Sequence, residues 1–272
     1  MRTHCRSSMN AEVSTIGDNG KREMCHSYGE LENSHIIPRS VFRKITRKNS
    51  GKGIHLVNDE LTDIAYSSDN WTEYLLCYKC EDQIENYERY ALAVLRNQKG
   101  VNAIRDDNGV IFQDIEYSRF KLFLTSLIWK ASVSTNQAYS KISLPVEVQE
   151  KARISILEGN SLNFSILGCE MFRLYDPTKK NGFSRKVLRK ILTSPFTRIK
   201  NNRVTNIFVF EGFLFEYHVP NLPFQKTGRE NVLKKDKTLI VPNINIFDVP
   251  ELLQVMVQSY GKYIKGKSKI KS

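Results

Sequence analysis

Two short stretches of this chain combine residue types that can do chemistry. The first is "ENSHIIPRSVFRKI", residues 32–45, where His35 stands beside Ser34 and is followed by Arg39, Arg43 and Lys44. Histidine is the side chain whose ordinary pKa lets it take a proton near neutrality. Arginine and lysine are the natural partners of phosphate. Together they describe a proton acceptor beside a held phosphate. Alone, His35 reads as a hydrogen-bonded histidine on an apolar strand. The second stretch is "LLCYKCED", with Cys77 and Cys80. A strand that runs into Cys-x-x-Cys and then a helix has the spacing of a zinc knuckle. The redox alternative needs a thioredoxin-like βαβ setting, and the flanking pattern lacks one. Two thiolates do not close a tetrahedral site. Cys25, in "REMCHSYGE", is the best third ligand, and His4, Cys5 and His26 compete for the fourth place. Cys169, in "SILGCEMF", reads as an ordinary core cysteine.

The surrounding pattern must position these groups. Residues 1–24 show no periodicity and read as loop or a weakly ordered arm, and residues 46–70 are polar with "RKNSGKG" as a loop. "TEYLLC" reads as a strand, and "CEDQIENYERYALAVLR" as a helix with Ile84, Tyr87, Ala91, Val94 and Leu95 on one stripe. "RDDNGV" is a turn. "YSRFKLFLTSLIWKASVST" is a strongly apolar helix that turns Phe120, Phe123, Leu124, Leu127 and Ala131 to a core, with Trp129 as packing. "LPVEVQEKARISILEG" opens after Pro145 and closes before Gly159, as helices do. Strands follow from about residue 163. The clearest is a hairpin, "NIFVF" and "FLFEYHV", turning at Glu211-Gly212, and "KTLIV" is another strand. A terminal helix, "DVPELLQVMVQSYGKYI", is capped by Asp248 and entered through Pro250. The expected class is α+β: a small zinc-stabilised ββα-metal module over residues 1–110, then helices and a mixed α/β region over 111–272.

Composition limits the partners. The chain has 272 residues, a net charge of +12, 40% hydrophobic residues and five cysteines. Such a chain can bury a real core. No apolar run reaches the roughly 18 residues of a membrane span, and the N-terminus lacks the apolar region of a signal peptide. A cytoplasmic protein with reduced cysteines and no membrane partner is the expectation. The basic excess points to a polyanion, most simply nucleic acid. The stretch "GKYIKGKSKIKS" reads as a solvated tail or as a phosphate-contacting arm.

"MCHSYGELENSHIIPRSVF" followed by "LLCYKCED" resembles the zinc-bearing branch of the HNH, or ββα-metal, endonucleases, in a bacterial subgroup with "SHIIP" and "LLCxxCE". The motif part covers about residues 25–95. The resemblance implies that His35 is the general base that deprotonates the attacking water. It implies one divalent metal, Mg2+ or Mn2+, at the scissile phosphate. It implies a separate structural Zn2+ held by Cys25, Cys77 and Cys80. Arg39, Arg43 and Lys44 fall where phosphates would pass.

The departures from that family are specific. Ser34 stands where the family carries an Asp beside the histidine, and Glu81 stands where it carries a late His or Asn. Glu81, Glu85 and Glu88 share a helical face, because i, i+4 and i+7 align. A carboxylate is a sound magnesium ligand, so Glu81, with Glu88, would restore the catalytic metal site. Glu85 reads as solvated. The middle Asn has no clear match in Asn58, Asp69 or Asn70, and Tyr28 takes the place of the second cysteine of the first knuckle. The implied function is DNA phosphodiester hydrolysis, with anti-phage defence as family analogy. The competing expectation is a catalytically inactive, zinc-stabilised binding module. A third is an interaction subunit that docks a larger ATPase or sensor, or pairs with a second copy of itself.

Overall fold

A computed structural model describes residues 18–46, 71–98, 100–180, 182–200, 202–235, 237–254 and 256–257, together with the backbone of 53–57 and 63–67. The chain opens with a hairpin of β1 (Asn19–Lys21) and β2 (Tyr28–Glu30), then β3 (Glu32–His35) and α1 (Arg39–Thr46). A second hairpin, β4 (Gly53–Val57) and β5 (Asp63–Ser67), leads to β6 (Thr72–Leu76) and α2 (Tyr78–Arg96). Two short strands follow, β7 (Asn102–Arg105) and β8 (Gly109–Gln113), and then α3 (Tyr117–Val133) and α4 (Val146–Glu158). The rest is β9 (Gly168–Tyr175), α5 (Arg185–Leu188), β10 (Phe196–Lys200), β11 (Arg203–Phe210), β12 (Phe213–Val219), α6 (Phe224–Thr227) and β13 (Leu239–Asn245). Residues 250–254 and 256–257 are helical. The fold is mixed α+β.

Seven strands form one sheet in the order β10-β11-β12-β9-β13-β8-β7. All pairings are antiparallel except that of β13 with β9. The period of two in "NIFVF" and "FLFEYHV" explains how this sheet is covered on both faces. Phe208, Phe210, Phe213, Phe215 and Tyr217 join the main apolar cluster with α3. Ile207, Val209 and Leu214 point the other way and meet Leu188, Ile246, Val249 and Leu252. The hairpin turns at Glu211 and Gly212 with φ of 55° and 80°, the left-handed pair that a two-residue turn needs. A Cβ at Gly212 would also meet the Arg189 backbone at 3.3 Å.

α3 runs through the middle of the core. The five expected residues are buried, and so are Lys121, Leu122, Thr125, Ser126, Ile128, Trp129 and Lys130. A helix apolar on one face alone would have left both lysines in water. Instead the Lys121 ammonium donates to the Leu167 carbonyl, and Tyr217 Oη donates to Leu124 O at 2.8 Å. α4 begins at Pro145 and ends at a left-handed Gly159, as the sequence indicates.

Several elements differ from the sequence reading. The stretch expected to lack regular structure up to residue 24 contains β1, and the polar stretch 46–70 contains the β4–β5 hairpin. β7 and β8 flank the expected Asp106–Asn108 turn, and α1 follows directly after Pro38. A boundary near residue 110 falls inside β8, and one apolar cluster contains Met24, Leu76, Phe112, Phe213 and Val241. Asp248 lies in a 3-10 turn whose cap is Asn245, not at the cap of the last helix. The basic tail lies outside the described residues, as do His4, Cys5, Asn58, Asp69 and Asn70. Among the described residues no helix is long and apolar enough to cross a membrane.

Candidate functional site

β3 and β6 pair antiparallel, placing Ser34 opposite Glu73 and His35 opposite Thr72. β6 then delivers Cys77 to the N-terminal cap of α2, and Cys80 falls in the first turn of that helix. Cys25 arrives from the turn between β1 and β2. That turn is closed by Arg22 N–H to Ser27 O at 2.9 Å and docked on β6 by Glu23 N–H to Leu75 O at 3.0 Å. Arg153 of α4 braces it by donating to Met24 O at 2.6 Å. The Sγ atoms of Cys25, Cys77 and Cys80 all lie within 4.8 Å of one another. Such a set of soft donors, two of them buried, can hold a metal ion. Burial pushes the Cys80 thiol up, and the neighbouring Cys77 adds to it. At Cys25 burial acts upward too, but hydrogen bonding to Ser27 outweighs it and the thiol is lowered. His26 is exposed and stands outside the three-thiol group. Tyr28 is exposed on β2.

Ser34 is fully buried, and its hydroxyl donates to Glu81 Oε2 at 3.0 Å. This contact joins the end of β3 to the first turn of α2. Next to it, His35 has a buried Nε2 with no hydrogen-bond partner among the described residues. Burial lowers the imidazole to about 4, and the charges of Arg39, Lys130 and Arg43 add to that. At neutral pH the ring is therefore an uncharged proton acceptor.

The backbone of His35 is held from below. The buried Lys130 ammonium of α3 donates to His35 O at 2.6 Å and to Glu88 Oε1 at 2.7 Å. Glu88, expected as a metal ligand, has one carboxylate oxygen engaged by this ammonium. Burial raises that carboxyl to about 7 even though Lys130 opposes the shift. Among the described residues, Glu81 and Glu88 form no three-ligand group with any other His, Cys, Asp or Glu. Glu85 is exposed beside Arg89, 3.9 Å away.

Of the three basic residues after His35, Arg39 and Arg43 are exposed one turn apart on α1. Lys44 differs, because its ammonium is 2.5 Å from Glu211 Oε2. Glu211 is buried, and its other oxygen accepts from Arg96 Nη2 at 2.8 Å and Nε at 3.1 Å. Arg96 Nη2 also donates to Ser40 Oγ at 3.2 Å. Lys130, Arg96 and Glu211 were missed as site-supporting residues. Two lysines inside an otherwise apolar α3 were the available signal, since a buried lysine demands a partner.

A second potential ligand group, Glu170, Glu216 and His218, is already satisfied. The Lys226 ammonium and His218 Nε2 sit on one oxygen of Glu170, and Arg229 sits on the other at 2.8 Å. No family model, no curated protein and no solved structure matches the chain.

Proposed function

We propose that the chain is a metal-dependent endonuclease of the HNH, or ββα-metal, type that hydrolyses phosphodiester bonds in DNA. The observation that carries this reading is the Ser34–Glu81 hydrogen bond, made between two motifs far apart in sequence. It sets an uncharged histidine and a carboxylate on one strand pair and one helix, beside Cys77 and Cys80, which Cys25 joins from the β1–β2 turn. His35 takes the proton of the attacking water. Lys130 fixes the peptide that carries it. Arg39 and Arg43 hold the phosphates on either side of the scissile bond. Cys25, Cys77 and Cys80 hold a structural Zn2+, which ties the first hairpin to α2. Glu81 suits Mg2+ or Mn2+, since such ions commonly bind through one or two carboxylates, water and substrate phosphate. When bound, the ion supplies charge stabilisation at the phosphate.

The test compares two variants on supercoiled plasmid with Mg2+ or Mn2+. His35→Ala should lower cleavage by about a hundred- to ten-thousand-fold and keep DNA binding. Glu81→Ala should raise the metal concentration needed, and added metal should partly restore it. Equal cleavage by His35→Ala and wild type would refute the assignment. The Glu88–Lys130 pair favours a second reading, a zinc-stabilised nucleic-acid-binding module without catalysis. That reading is chosen if wild type binds DNA yet leaves it intact under all these conditions.

A further inference from the structure

A cavity of about 290 Å³ opens where α2, β7, β9, α5 and the β11–β12 turn meet, and its wall contains Arg96, Arg105, Arg173, Arg185 and Arg189. Five guanidiniums from four separate elements converge there. Glu211 is the one carboxylate of the wall, and it is already paired with Arg96 and Lys44. Arg105, Arg173 and Arg189 make no ion pair among the described residues. They donate to backbone carbonyls instead. Arg105 and Arg189 share Leu95 O at 3.4 and 3.3 Å, and Arg173 reaches Gly109 O and, at 3.5 Å, Asp106 O. Arg185 pairs with the fully exposed Asp107 at 3.6 Å and donates to Asp106 O at 3.4 Å.

A guanidinium carries five N–H donors in a planar fork. One shared carbonyl leaves most of that capacity unused. The like charges also press on one another. Arg173 is buried, and burial together with Arg185 and Arg105 lowers it to about 10, while Asp106 opposes the shift. Arg105 is lowered by burial and by Arg189 and Arg185. Structural capping of the α2 C-terminus explains a cation at Leu95 O. It does not explain five of them around one cavity. Such crowding is costly in the empty protein and is repaid by an anion that accepts several bidentate hydrogen bonds.

We infer that this cavity is a binding site for a phosphoryl group bearing two or more negative charges. The group is supplied either by a free nucleotide or by a terminal phosphate of nucleic acid. The volume lies just below the range for ligand pockets, about 300–1,000 Å³. It therefore takes the phosphate portion of a ligand and leaves the remainder outside. The inference stands apart from the proposed cleavage chemistry, because none of the five arginines touches His35 or Glu81 in the interactions described above.

The experiment is calorimetric titration of the full chain with pyrophosphate, ATP, and one single-stranded DNA carrying either a 5′-phosphate or a 5′-hydroxyl, at constant ionic strength. Wild type should bind pyrophosphate. Arg105→Gln/Arg189→Gln should weaken that binding at least ten-fold. A charge-matched control, Lys179→Gln/Lys235→Gln, lies outside the cavity wall and should bind as wild type does. A preference for the 5′-phosphorylated strand over its twin assigns the site to nucleic-acid ends, and tighter binding of ATP than of either strand assigns it to a nucleotide. Circular dichroism and urea unfolding of the ligand-free double variant check the fold. Relief of repulsion should leave its stability within two-fold of wild type in the unfolding constant. If it does not fold, Arg185→Gln, at the exposed rim, must weaken pyrophosphate binding instead. Absence of pyrophosphate binding by wild type, or equal weakening by the lysine control, would overturn the inference.

Discussion

Replacing Lys130 with methionine removes an ammonium from the centre of the fold while keeping most of the side-chain volume. Lys130 is fully buried, and it donates to both Glu88 and the His35 carbonyl. Breaking a buried pair from one side costs about 3–5 kcal/mol. Part of that cost depends on pH. The folded Glu88 carboxyl sits at about 7, above its ordinary 4.5. The folded state thus binds more protons between those values, and this group favours folding as pH falls through them. At pH 8 the wild-type carboxyl is ionised beside Lys130. In the variant it must take up a proton, which above its wild-type value costs roughly 1 kcal/mol per pH unit. At pH 6 the wild-type carboxyl is itself protonated and this share vanishes. The stability deficit of Lys130→Met should therefore be larger at pH 8 than at pH 6, by roughly 1 kcal/mol. Lys130→Met/Glu88→Gln should lose that dependence. Urea unfolding followed by tryptophan fluorescence is a direct assay, since the two tryptophans, Trp71 and Trp129, are both buried. A deficit below about 1 kcal/mol, or one equal at both pH values, would refute the reasoning.

Cys77→Ser should lower bound zinc measured by elemental analysis and expose the first hairpin to proteolysis, because metal binding and local folding are linked; unchanged zinc content would argue against the thiol site. Glu211→Gln should cost about 3 kcal/mol in urea unfolding. Most of that loss should come from Arg96, since Lys44 is 39% exposed and screened by water. Glu170 is pushed up by burial, yet hydrogen bonds from His218 and Lys226 prevail and hold it down to about 2. Its contribution is complete above pH 4.5, its ordinary value, and is lost as pH falls from there towards 2. Glu170→Gln should be less stable at neutral pH and show a flatter stability profile across that acid window.

What could be read from the sequence was local. α2 and its Cys-x-x-Cys entry follow from a stripe of period 3.6 and a tight motif, and the Glu211-Gly212 hairpin follows from period 2 and turn chemistry. Cys77 and Cys80 were nominated from their spacing and Cys25 as their best third ligand, and the fold brings the three thiols together. β4 and β5 escaped because each is a five-residue strand inside a stretch dominated by polar residues, and α1, at eight residues, is too short to declare a period. Glu88 was placed from its face of α2 alone, and its ion-pair partner, Lys130, comes from α3 and was not legible in the sequence. The arginine cavity was out of reach for the same reason, since its walls come from elements that the sequence does not show to be neighbours.

The placement of β13 also governs the order in which the chain can fold. β8 is joined to the rest of the sheet through β13, and β13 pairs in turn with β9. The β7–β8 hairpin is made early during synthesis, but its partner comes far downstream. A lone two-stranded hairpin is marginal in water. Until Leu239 and Val241, both fully buried in the finished molecule, have been made, the early strands have no seat and an open edge. Folding cannot then proceed half by half along the ribosome. The sheet closes late and through non-local contacts, a topology associated with slow folding and exposed intermediates. A nascent chain halted before Leu239 would present β8 as a bare edge to its neighbours and would be an early client of chaperones.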